Sequence, residues 1–115
     1  MSNLEDLLTK ILNDLELNIP EKEVIAARVT KAIIEISAKN PFFFRNYQTK
    51  FTLAGLIYLA SLAVATQTGD FSKKITQLTI ADKLNIANIT VGNNYKRIYH
   101  RFPECFPEIY TEESP

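Results

Sequence analysis

Histidine and cysteine occur once each in this chain, as His100 and Cys105, and glycine only three times. A single cysteine excludes an internal disulfide framework and fits a reducing compartment. It also leaves no Cys/His set at zinc-ligand spacing. His100 and Cys105 flank Pro103 with no third group placed by any catalytic motif, so neither reads as a nucleophile or its base. No glycine-rich loop cradles a phosphate, and no carboxylate pair stands at a spacing suited to acid–base work. The chain therefore reads as a non-enzyme with no metal and no cofactor. The N-terminus, Met1-Ser2-Asn3-Leu4-Glu5-Asp6, is acidic and amphipathic, unlike a signal peptide. The longest apolar run, Leu53 to Ala65, is 13 residues, shorter than a bilayer span.

What is present is the composition of one globular domain. The 115 residues are 46% hydrophobic and 23% charged, enough to build a core without staples. Net charge is zero but unevenly spread. Residues 1–38 hold 4 basic and 7 acidic groups, residues 39–101 hold 9 basic and 2 acidic, and residues 102–115 hold 4 acidic and none basic. A basic middle between acidic ends can form a positive face that the overall charge hides, or it can be no more than solvated lysines.

Apolar residues recur at helical spacing throughout. Ser2 and Glu5 make a capping-box pattern ahead of the stripe Leu4, Leu7, Leu8, Ile11, Leu12 and Leu15. Pro20 opens a second helix whose stripe is Ile25, Val29, Ala32, Ile33 and Ile36, ending near Ala38 before Asn40-Pro41. Residues 42–48, with three successive phenylalanines, read as a loop or short turn whose aromatics pack on the domain, the alternative being a stacking platform for bases. Thr52 is expected to cap a third helix running to about Thr66. It is apolar on nearly every face except Tyr58 and Ser61, so it is surrounded by other elements. Its small residues, including Ala54, Gly55 and Ala60, permit close approach. Gly69 suits its end.

Thr76 then caps a short fourth helix with Ile80, Ala81 and Leu84 inward. Asn85 suits a left-handed turn. A fifth helix opens at Ala87 or Asn88, carries the stripe Val91, Tyr95, Ile98, Tyr99 and Phe102, and ends at Pro103. The expected organisation is one all-α, five-helix domain over residues 1–107, with a flexible tail over 108–115. Two helices joined by about three residues, near 76–84 and 88–102, have the layout of a helix-turn-helix. Off its stripe the second helix shows Thr90, Asn93, Asn94, Lys96, Arg97 and Arg101. Threonine and asparagine can bond base edges or phosphates, and lysine and arginine neutralise phosphates. The other reading is a purely structural helix pair with a solvated outer face.

The segment from Thr76-Gln77 through Ile80-Ala81 to Thr90-Val91, Asn93 and Tyr95-Lys96 resembles, without a gap, the helix-turn-helix of the second cyclin-like repeat in the transcription factor IIB and archaeal transcription factor B family. The exit Ile98-Tyr99-His100-Arg101-Phe102-Pro103-Glu104-Cys105-Phe106-Pro107 and the buried-helix segment Thr52 to Ser61 are similar too, so the resemblance covers roughly Leu4 to Pro107. It implies a cyclin-like fold with a C-terminal helix-turn-helix and a role in transcription initiation. The implied partners are promoter DNA, TATA-binding protein and, further out, RNA polymerase. The location is intracellular, nuclear in a eukaryote and cytoplasmic in an archaeon. By position, Ile89 and Thr90 would face bases. Gln77 and Asn93 belong to the same DNA-binding set, and Lys73, Lys74, Lys96 and Arg97 are the backbone-contact candidates on charge. Gly92 stands where the family has a base-contacting arginine. The segment Asn40–Lys50 and the loop Thr68–Lys74 are longer than the family pattern. There is one repeat rather than two, with no zinc-ribbon cysteines. Those departures keep a second expectation open, a single cyclin-like protein-interaction module without sequence-specific DNA binding.

Overall fold

The computed structural model describes residues 2–44, 49–72 and 74–109, with side chains from Leu4 onward. Five α-helices follow one another: α1 (Ser2–Asp14), α2 (Ile19–Lys39), α3 (Thr49–Thr68), α4 (Gln77–Leu84) and α5 (Asn88–Arg101), closed by a 3-10 turn at Pro103–Cys105. No strand occurs among the described residues. This is the all-α, five-helix cyclin-like architecture expected from the spacing and the resemblance.

α3 is the axis. Leu53, Leu56, Ile57 and Leu59 are at most 1% exposed, each worth about 1.5–3 kcal/mol of burial. α3 meets α1, α2 and α4, and packs most extensively on α5. By length and composition alone α3 could cross a membrane, but 67% of its most apolar window is buried inside the protein, as in a core helix. Its polar exceptions are buried as well. Ser61 Oγ accepts a hydrogen bond from the Ile75 N–H at 2.7 Å, and the Tyr58 ring packs 4.6 Å from that of Tyr95.

One helix start differs from expectation. α3 begins at Thr49, one turn earlier than a Thr52 cap would place it, and Thr52 is only 1% exposed within the helix. Lys50 and Phe51 are compatible with helix, and α3 takes in both ahead of Thr52. α2 is capped by Asn18, whose Oδ1 accepts from the Glu21 N–H at 2.9 Å, with Pro20 in its first turn. The Ser2 side chain expected to cap α1 lies outside the described residues.

The Phe42–Phe44 turn packs on the domain in part. Phe43 is buried edge-on against Phe44 and Phe102, while Phe42 is 68% exposed. Residues 45–48, the rest of that expected loop, are outside the description. At the C-terminal end Phe106 is fully buried, and Glu108 is tied to α2. Arg28 Nε and Nη2 each donate to a Glu108 oxygen at 2.9 Å, and Nη2 also donates to the Cys105 carbonyl at 2.8 Å. Residues 108–109 are thus held on the body, and the tail from 110 lies outside the described residues.

Candidate nucleic-acid interface

The α4–α5 pair is built by local chemistry. Thr76 Oγ1 accepts from the Thr79 N–H at 3.1 Å and starts α4. At the other end the Ile86 N–H reaches the Ala81 carbonyl at 3.0 Å and the Asn85 N–H reaches that of Asp82 at 3.3 Å. This paired closure needs a left-handed residue at its centre. Asn85 supplies it, with φ 56° and ψ 50°. Three residues after α4 ends, α5 begins behind Ala87, which offers no side-chain cap. The Thr90 and Val91 N–H groups both reach back to the Ala87 carbonyl, at 3.0 and 3.4 Å.

α5 is anchored by Val91, Ile98 and the following Phe102, all buried, with Tyr95 and Tyr99 half-buried beside them. That inward face forces Ile89, Asn93, Lys96 and His100 outward, at a spacing that makes one continuous row. Ile89 is 70% exposed, the most exposed large hydrophobic side chain among the described residues. Asn93, Lys96 and His100 are exposed, and Thr90 is half-buried at the row's edge. No carboxylate pairs with Lys96 or His100 among the described residues. Other lysines of the basic middle are neutralised, Lys39 by Glu104 at 3.3 Å and Lys83 by Glu16 at 2.6 Å. The Lys83 ammonium holds the Glu16 carboxyl below its ordinary range. Of the basic middle, Lys96 thus stands exposed on the outer edge of α5 with no carboxylate partner among the described residues.

The remaining candidates divide. Gln77 sits in the first turn of α4, half-exposed and against α5. Arg97 is exposed but bends back onto the protein. Its Nη2 donates to Asn94 Oδ1 at 2.9 Å and lies 3.4 Å from Thr52 Oγ1, and its guanidinium stacks 5.3 Å from the Phe43 ring. Lys74 is half-buried, with Nζ 3.5 Å from Tyr58 Oη and 5.1 Å from that ring's centre. Both are held by aromatic surface rather than projected into solvent. Lys73 lies outside the described residues. Asn94 donates to the Thr90 carbonyl at 2.8 Å and stays within the helix surface. His100 continues the outer row, and only the spacing from Lys96 points to it in the sequence. Arg101 flanks the row, its guanidinium over Phe43 and Phe102. Among the described residues no three His, Cys, Asp or Glu side chains gather into a group able to hold a metal ion.

The fold and this site define an all-α domain that presents a helix pair with a largely polar outer row carrying Lys96. Over 62 residues the chain is 36% identical to transcription initiation factor IIB of Mus musculus, and equally so to that of Xenopus laevis and Homo sapiens. The match takes in 54% of this chain and 17% of each relative, so the chain spans less than a fifth of the curated relatives it matches. It thus carries a region related to transcription initiation factor IIB. No protein-family model matches the chain, and no solved structure does.

Proposed function

We propose that this chain is a transcription initiation factor IIB-like core repeat, with α4 and α5 forming a helix-turn-helix that binds promoter DNA and the complex of TATA-binding protein with DNA. The similarity to transcription initiation factor IIB carries the reading, and the outer row of α5 supports it. An α-helix fits the major groove, where Ile89 can meet a thymine methyl group and Thr90 and Asn93 can bond base edges. Lys96 lies one to two turns further along, suited to a phosphate. Arg97 and Lys74 reach phosphate only by leaving Thr52 and Tyr58, so their contribution is smaller than that of Lys96. The domain acts by binding rather than catalysis, assembling TATA-binding protein, template and, through them, RNA polymerase. Such a factor works where the template is, in the nucleus of a eukaryote or the cytoplasm of an archaeon.

Fluorescence anisotropy of labelled promoter DNA, with and without TATA-binding protein at two salt concentrations, tests this. Binding strengthened by TATA-binding protein and weakened by salt is expected, because phosphate contacts release counterions. No binding by a correctly folded domain would overturn it.

One observation favours a second reading, a protein-interaction module. An apolar cavity of about 300 Å³ opens between α2 and α3, lined by Leu17, Val24, Ile25, Val64, Ala65 and Ile75. Salt-tolerant capture of a protein partner, without DNA binding, would support that reading instead.

A further inference from the structure

Gly92 stands three residues after Ile89 and four before Lys96, the spacing that puts all three on one ridge of α5. Ile89 and Lys96 are exposed, yet Gly92 is buried. Gln77 covers it. A Cβ built on Gly92 would meet Gln77 Oε1 at 3.0 Å. Among the described residues, nothing else beyond the adjoining chain and α5's own backbone comes within 4 Å of it. The carboxamide of Gln77 therefore lies in the notch that a missing side chain leaves in the outer ridge. Among the described residues no protein group hydrogen-bonds that carboxamide, so its donor and acceptor are both available.

We infer that Gln77 is a specificity-determining residue, supplied by α4 to the reading surface of α5, and that it selects adenine at the base pair facing Gly92. A primary amide offers the acceptor and donor that adenine N6–H and N7 require in the major groove, and no other base edge there matches both. Position supplies the rest. The amide is flanked along the ridge by Ile89 and Lys96, so a duplex seated on those two residues meets the amide between them. The inference rests on the DNA-binding reading above.

Binding-site selection from a randomised duplex library, using the full chain, is the test. The selected site is then titrated with each of the four base pairs at every position, for the wild type, Gln77→Met and Gln77→Ala. Methionine keeps the bulk over Gly92 and removes the amide, so the fold is retained and checked by thermal melting. The wild type is expected to prefer A·T about tenfold at one position. Both variants should level that position and keep the other preferences. Two results would overturn the inference with the DNA-binding reading left standing. One is an unchanged preference in both variants. The other is an equal loss of affinity for every sequence, the mark of a contact to the DNA backbone rather than to a base edge. A wild type that binds no duplex would remove both readings together.

Discussion

A Cβ on Gly55 would stand 2.8 Å from the backbone nitrogen of Tyr95 and 3.0 Å from the carbonyl carbon of Asn94. At Gly55, α3 and α5 thus cross backbone against backbone, and α5 is carried on the buried axis of the domain. The outer row is as well positioned as the core itself.

Gly55→Ala should therefore be costly. The Tyr95 nitrogen and the Asn94 carbonyl carbon are backbone and cannot swing aside, so the two helices must separate. Overpacking of this kind costs about 1–3 kcal/mol. Thermal melting should show a lower Tm, and any DNA affinity should fall with it.

Gly92→Ala should behave in the opposite way. Its added Cβ meets only the end of the flexible Gln77 side chain, while alanine favours the helix by up to about 1 kcal/mol over glycine. A Tm equal to or above wild type is the expected melting result, and a loss comparable to that of Gly55→Ala would contradict it.

Lys96 and Arg97 are neighbours in sequence with different duties. Lys96→Ala should leave the Tm unchanged, weaken DNA binding uniformly across sequences and reduce the salt slope by about 1. Arg97→Ala also removes the contacts to Asn94, Thr52 and Phe43, so melting should show a loss of about 1 kcal/mol. Equal effects of the two variants on Tm would count against this division.

Glu108 should make the fold acid-sensitive. The hydrogen-bonded Arg28 guanidinium holds its carboxyl below the ordinary value of 4.5. A group depressed on folding stabilises above its unfolded pKa, and that contribution is lost as pH falls through the folded pKa. Glu16 and Glu104 are lowered as well and add to the same trend. Glu108→Gln leaves the buried Arg28, whose Nη1 has no partner among the described residues, without its anion. The expected loss at neutral pH is about 1–3 kcal/mol, discounted for the partial exposure of the pair. Melting curves from pH 7 to pH 3 should converge for the variant and the wild type as the carboxylate is protonated. A constant offset at every pH would refute this origin.

Local chemistry alone determined much of this protein. Caps and turns depend on groups a few residues apart, which is why Thr76 and the left-handed Asn85 were legible before any fold was known. The 3.6-residue period showed the buried stripe of α5 in the same way, and with it the exposure of Asn93 and Lys96. Distant packing decided the rest. Thr52 has the composition of a cap, but its burial beneath Arg97, 45 residues away, belongs to the α3–α5 crossing. Arg28 and Glu108 are 80 residues apart and carry no shared motif. Gln77 over Gly92 depends on how α4 leans on α5. Spacing along the chain carries no information on that angle, because side chains from separate helices meet only when the core between them is packed.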